Sequence, residues 1–222
     1  MDWQFGLSIG ILVYMAFVFD FFGFLARDEL LLRLLMLAAS VLYLFYYYHV
    51  ADTPLWDAIT TNAVLGAANL AMIGVVILER TTFSMSKETE ALFQQFPMLT
   101  PGQFRRLLKS ARTIAVTAPR TLTMAGTPVK RLWYVHEGAL RIDKTGQETL
   151  VEAPMFVGEL AFLTGAQASA SVTAEPGARI LEWDAAELHR LLRKSSKLHV
   201  ALQAQFNADL VRKVTHSAPL AN

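Results

Sequence analysis

The sequence predicts an α-helical three-span membrane domain followed by an α+β domain built on a roll of short strands. Two observations predict it: three long apolar runs before residue 80, and short β-type segments at even spacing after residue 112. A third observation, the distribution of charge, divides the chain at the same place.

The apolar runs are Phe5–Leu25, Leu30–Val50 and Asp57–Leu78, of 21, 21 and 22 residues. A helix needs about 20 residues to cross the hydrocarbon core of a bilayer, so each is a candidate span. The first does not read as a cleaved signal: Met1 to Phe5 carries no Lys or Arg, no small-residue cleavage site follows, and two further spans come after it. Basic residues set the expected orientation. Arg27 and Arg33 lie between and at the start of the second span, and Arg80 and Lys87 follow the third, whereas the N-terminus and the loop from His49 to Trp56 have no Lys or Arg. The positive-inside rule then puts the N-terminus outside and the C-terminal domain in the cytoplasm, as an integral membrane protein with the lipid bilayer as its first partner.

Residues 1–80 hold three basic and seven acidic residues (3 − 7 = −4), and the remainder holds seventeen and twelve (17 − 12 = +5). This modest, dispersed surplus suits a soluble domain beside an anionic leaflet better than nucleic-acid binding, so no nucleic-acid partner is expected. With no cysteine, disulfides, thiolate metal sites and cysteine nucleophiles are excluded.

Within the spans, Ala63, Ala67 and Ala71 recur every fourth residue with Gly66, Gly74, Asn62 and Asn69 nearby. Small residues at that spacing let helices approach closely, within one chain or between two. Asp20, near the inner end of span one, is expected to be solvated or paired with Arg27 rather than part of an ion path. Tyr43, Tyr46, Tyr47, Tyr48, His49, Trp3 and Trp56 read as an interfacial aromatic belt.

Past Arg80, Lys87 to Phe96 and Thr100 to Ala111 read as two short amphipathic helices broken at Phe96-Pro97, with Thr100 as N-cap and Pro101 at the first helical position. From Thr113 to Asp184 the strands expected are 113–117, 120–124, 131–137, 139–144, 148–153, 168–174 and 178–183, with turns at Ala125-Gly126-Thr127-Pro128, Glu137-Gly138, Lys144-Thr145-Gly146-Gln147 and Glu175-Pro176-Gly177. Even spacing of short strands favours a sandwich, a barrel or a jelly roll. The domains expected are 1–80 (membrane), 81–112 (linker and short helices), 113–184 (roll) and 185–222 (C-terminal helix and tail).

Gly158-Glu159-Leu160-Ala161-Phe162-Leu163 breaks the strand pattern with helical composition, ending at Thr164-Gly165. A glycine that admits close backbone approach at the start of a helix can form an anion site from exposed N–H groups. A carboxylate one residue later suits a sugar hydroxyl instead, as an acidic residue does in dinucleotide folds.

The stretch Gly158-Glu159-Leu160-Ala161…Ala168-Ser169-Ala170-Ser171-Val172, set in a roll between short helices and a long final helix, resembles the phosphate cassette of cyclic-nucleotide-binding domains such as those of the catabolite activator protein and kinase regulatory subunits. The resemblance implies that Glu159 meets the ribose 2′-hydroxyl, the Gly158 to Ala161 backbone meets the phosphate, and Ser169 meets a phosphate oxygen. Ala168 stands where that family places its phosphate-pairing Arg. The whole organisation, with Gly126-Thr127-Pro128-Val129-Lys130-Arg131-Leu132, Glu137-Gly138-Ala139-Leu140-Arg141 and Thr173-Ala174-Glu175…Arg179-Ile180-Leu181-Glu182-Trp183, is similar to the Popeye-domain family. That family also lacks the cassette Arg and is regarded as binding cAMP through an Asp-Ser-Pro-Glu and a Phe-Gln-Val-Thr element. Gly158-Glu159 and Ala168 to Ser171 stand near those positions, and of these only Glu159 and the Ser171 hydroxyl keep comparable chemistry. The ligand residues implied are thus Gly158, Glu159, Leu160, Ala161, Ser169, Ala170 and Ser171, with cAMP or another cyclic nucleotide as ligand.

Ala185 to Val214 reads as one helix with an apolar stripe at Leu188, Leu191, Leu192, Leu198, Leu202, Phe206, Leu210 and Val214, opposite Gln203, Gln205, Asn207, Asp209 and Arg212. A stripe this narrow suits a core or a partner helix, and the family's use of terminal helices favours a homodimer seam here or, failing that, at the third span. His136, His189, His199 and His216 lack metal-ligand spacing, and Ser169 and Ser171 have no base arranged beside them, so no metal, cofactor or catalytic residue is expected. The expected function is a non-enzymatic membrane sensor or scaffold for a cyclic nucleotide. The alternatives are a ligand-free membrane interaction module, or a membrane-disrupting defence effector triggered by a cyclic nucleotide.

Overall fold

The computed structural model describes residues 3–83, 85–144 and 146–217, the side chains of 3–8, Val214, His216 and Ser217 excepted. The expected contributions of Trp3, Thr145, Val214 and His216 therefore lie outside the described residues. The chain forms two compact units, Met1–Phe83 and Ser84–Asn222.

Unit 1 is three helices: α1 (Trp3–Leu25), α2 (Glu29–His49) and α3 (Trp56–Arg80), with α2 packed against both others. Among the described residues, α2 and α3 are long and apolar enough to cross a membrane by length and composition, and the apolar part of α1 is Ile9–Leu25. Asp28 starts α2, accepting from the N–H groups of Leu30 and Leu31, and its second carboxylate oxygen meets Arg80 at 2.8 Å. These N–H groups and then the guanidinium hold the Asp28 carboxyl below its ordinary range.

The face of α3 that packs on α2 is Gly66, Asn69, Ile73 and Val76; Ala63, Ala67 and Ala71 point outward. Gly66 lies beside Ser40, the Asn62 amide donates to the Ser40 carbonyl at 2.7 Å, and Arg33 reaches Asn69 at 3.3 Å. Asp20 stands within reach of Tyr43 on α2.

Unit 2 opens with α4 (Lys87–Phe93) and α5 (Pro101–Lys109), the latter started by a complete capping box between Thr100 and Gln103. A jelly roll follows, in two four-stranded antiparallel sheets. The first orders β1 (Arg112–Ala115), β8 (Arg179–Asp184), β3 (Arg131–Glu137) and β6 (Met155–Val157); the second orders β2 (Arg120–Thr123), β7 (Ser171–Ala174), β4 (Ala139–Lys144) and β5 (Gln147–Glu152). Side chains alternate across β3. Leu132 and Tyr134 enter a core shared with the helices, while Trp133 and Val135 enter the core between the sheets. Because both faces are covered, β3 reads as a continuous apolar run.

Between β6 and β7 sits α6 (Glu159–Thr164), and after β8 come α7 (Ala185–Lys194) and α8 (Ser196–Ser217). The single final helix expected from the sequence is thus interrupted at Ser195, which has extended backbone. The dimer-seam expectation for its stripe is also corrected. Leu188, Leu198, Leu202 and Phe206 are buried in the chain's own helix-side core with Phe96, Phe104, Tyr134 and Phe156. Burying them there removes the apolar area a partner helix would have used. Gln205 and Asp209, expected on the wet face, are buried as well; Gln205 accepts from Met98 N and donates to the Gln95 carbonyl.

The Glu137-Gly138 turn needs its glycine: at φ +87° a Cβ would stand 2.7 Å from Ala178 Cα. Strand β6, which no periodicity marked, pairs with β3 at the edge of its sheet through Val157↔Trp133 to Met155↔Val135.

Candidate ligand-binding site

Phe156 lies on an edge strand, where backbone polar groups lack a neighbouring strand. Helix α8 supplies the missing partners: Phe156 N donates to Asp209 Oδ2 at 3.1 Å and the Phe156 carbonyl accepts from Lys213 Nζ at 2.6 Å. The same ammonium meets Asp209 Oδ2 at 2.9 Å and Glu159 Oε1 at 2.6 Å. Arg212 pairs with Asp209 and donates to the Pro154 carbonyl. The result is a chain of charge, Glu159–Lys213–Asp209–Arg212, whose two carboxylates are buried and which ties α8 to the first residue of α6.

A cavity of about 530 Å³ opens beside this chain. Its wall is drawn from Thr123 of β2, Ile142 and Lys144 of β4, the three residues of β6, Val172 of β7, and Leu210 and Lys213 of α8. Gly158, Glu159, Leu160, Ala161, Ser169 and Ala170 all stand in it, and so does Ala168. Ser171 falls outside this wall: its hydroxyl accepts from Ala125 N at 3.1 Å and is spent on that turn.

Gly158 is the N-cap of α6 at φ +86°, and a Cβ there would meet Val129 Cγ1 at 3.0 Å and the Arg131 carbonyl at 3.2 Å. The turn therefore lies against the start of β3, and α6 begins without a side-chain cap, leaving its first-turn N–H groups without intrahelical acceptors. Glu159 is only 5% exposed, so its paired carboxylate belongs to the wall rather than to bulk water.

The charged groups of the wall are Lys144, Lys213 and Glu159, two cations against one anion, amid apolar Ile142, Val157, Leu160, Val172 and Leu210. The volume is that of a small-molecule site, and the lining suits a body with an apolar face, a hydroxyl and a single negative charge. Among the described residues no cluster of His, Asp or Glu could hold a metal ion.

Sequence reasoning missed Lys144, Asp209 and Lys213. The four-residue spacing of Asp209 and Lys213 is legible as a helix-surface pair, but nothing local says that the pair grips β6 and Glu159. A second polar cluster was also missed. Glu182, 5% exposed, accepts from Trp133 Nε1 at 2.9 Å and Arg120 at 3.0 Å, with Arg131 at 3.4 Å. His136 is enclosed with its Nε2 unpartnered among the described residues, and burial pushes its pKa down. Burial likewise pushes the Tyr134 phenol up; its hydroxyl bonds Gln95.

Residues 114–195 match the family model of the cyclic nucleotide-binding domain. The matched segment carries the Gly158 turn, α6 and most of the cavity wall, while Leu210 and Lys213 lie beyond it. Among solved structures, the chain is similar to a candidate cyclic nucleotide-binding protein of Geobacter metallireducens GS-15, at 15% identity and TM-score 0.50, over 59% of this chain and 98% of that one. The catabolite activator protein of Thermus thermophilus aligns at 20% identity and TM-score 0.45, over 55% of this chain and 60% of its own. The c-di-GMP-responsive regulator CLP of Xanthomonas campestris aligns at 17% identity and TM-score 0.44, over 51% and 59%. The chain thus spans about 60% of the length of these two regulators. No curated protein matches the chain.

Proposed function

We propose that the protein is a membrane-anchored, non-catalytic receptor whose cyclic nucleotide-binding domain takes a cyclic nucleotide, cAMP first among them, in the cavity beside α6. The observation that carries this reading is Glu159: a buried carboxylate of the matched segment, one residue after a positive-φ glycine, on the wall of a cavity. In this reading Glu159 takes the ribose hydroxyl through the oxygen that Lys213 leaves, and the first N–H groups of α6 together with Ser169 face the phosphate. Bilayer insertion is supported by the surface of unit 1. Only 11% and 22% of the apolar windows of α2 and α3 are buried, and Phe17, Phe24, Leu65 and Leu70 are exposed. Apolar surface of that extent is costly in water and neutral in lipid. Three spans, an outside N-terminus and a cytoplasmic domain, the organisation of Popeye proteins, belong to the same proposal.

Titration calorimetry of the detergent-solubilised full chain with cAMP, cGMP and the pyrimidine cyclic nucleotides tests it. Saturable binding by at least one supports the receptor, and no heat from any of them rejects it. A ligand-free scaffold is the second reading. It is favoured by Ala168, which puts a methyl group in the wall, and by the Lys213 ammonium already on Glu159.

A further inference from the structure

Lys213 donates to Glu159 and to the Phe156 carbonyl and forms an ion pair with Asp209 Oδ2 at 2.9 Å. Together with Arg212 the cluster sums to zero: two carboxylates, one ammonium and one guanidinium. Without the ammonium the sum is −1, and the uncompensated charge includes Glu159, which lines the cavity. An anion a few ångströms away in a partly enclosed site feels such a charge strongly, because the field is weakly screened there.

Resting on the reading of the cavity as a nucleotide site, we infer that Lys213 is a selectivity residue of that site, supplied by α8 from outside the matched domain. By neutralising Glu159 and Asp209 it lets the cavity accept a singly charged phosphodiester. With the ammonium removed, Lys144 alone stands against Glu159 on the wall, and the preference shifts from the phosphodiester toward the uncharged nucleoside. The edge-strand contacts of Lys213 to Phe156 give it a structural role in addition, and the two roles separate by ligand charge. A purely structural lysine, once lost, weakens cAMP and adenosine alike, because both need the same wall. A charge-compensating lysine, once lost, weakens only the phosphodiester.

The experiment is titration of the full-length solubilised chain with cAMP and with adenosine, for the wild type, Lys213→Gln and Lys213→Arg. The expected result is a fall of about tenfold or more in the ratio of cAMP to adenosine affinity for Lys213→Gln, with the ratio retained in Lys213→Arg. An unchanged ratio in Lys213→Gln overturns the inference, as does a gain in cAMP affinity, which would make Lys213 a competitor for Glu159. Absence of cAMP binding by the wild type overturns the receptor reading and this inference with it. Should Lys213→Gln fail to fold, reductive methylation of the wild type read by peptide mass spectrometry replaces it. Saturating cAMP should then change the labelling of Lys213 more than saturating adenosine does, and equal labelling overturns the inference.

Discussion

Trp133 donates its indole N–H to Glu182 at 2.9 Å, joining neighbouring strands β3 and β8 through side chains as well as backbone. Arg120 and Arg131 converge on the same carboxylate oxygen. Glu182→Ala leaves a buried indole donor without its acceptor and two half-exposed guanidinium groups that turn to water. The loss expected is about 2 to 3 kcal/mol of unit 2 stability. Denaturant unfolding followed by tryptophan fluorescence checks it, and a change below about 0.5 kcal/mol would mean the cluster is ornamental.

Glu159 and Ala168 test the ligand site from opposite sides. Glu159→Ala should weaken cyclic-nucleotide binding by about 1.5 to 3 kcal/mol, the worth of a hydrogen bond to a charged group. Ala168→Arg, pointing a guanidinium from the wall toward the phosphate, should tighten it. Calorimetry reads both; unaltered affinity in Glu159→Ala with an unaltered melt removes that carboxylate from the site.

Replacing Leu202 and Phe206 together by Asp puts two charges into the helix-side core, where neither has a partner. Unit 2 should lose more than about 4 kcal/mol, by cavity formation and charge burial together, and should lose its near-ultraviolet circular dichroism. A variant that stays folded and merely changes oligomeric state would restore the dimer seam that the packing argues against.

His136 makes unit 2 sensitive to acid. Burial lowers its pKa in the folded state beneath the ordinary 6.5, so below that value the unfolded chain takes up a proton that the folded chain resists. The unfolded state then binds more protons, and stability falls as pH falls from about 6.5 toward the folded pKa. Nearby Glu137 opposes the shift and Arg179 reinforces it. The melting temperature of unit 2 should drop between about pH 7 and pH 5, and His136→Gln should flatten that part of the profile.

Orientation rests on Arg27, Arg33, Arg80 and Lys87. An activity reporter fused after Asn222 should be active only as a cytoplasmic fusion; periplasmic or extracellular activity would invert the assignment.

Much of the roll is legible in the sequence because its punctuation is local. The segments 131–137 and 139–144 are β3 and β4, bounded by a turn that only glycine can make, and the Gly158 turn stands out for the same reason. What escapes is set by tertiary contact. Strand β6 has three residues and no period; only pairing with Trp133 to Val135 of β3 makes it a strand. The stripe on α8 is equally visible whether it faces a core or a partner, and only the neighbouring Phe96 and Phe156 decide between them. Lys213 lies 54 residues from Glu159, a separation across which sequence spacing carries no signal.

The cavity wall gathers residues from Thr123 to Lys213, including strands of both sheets and the last helix. Any molecule that fills it therefore acts as a non-covalent staple across most of the soluble unit. Its binding free energy is added to the cooperative unfolding of that unit, about 2.7 kcal/mol at a hundred times Kd, because the unfolded chain offers it no assembled wall. Occupancy can thus be followed without a label, as a concentration-dependent rise in the melting temperature of residues tens of positions away from the nearest contact.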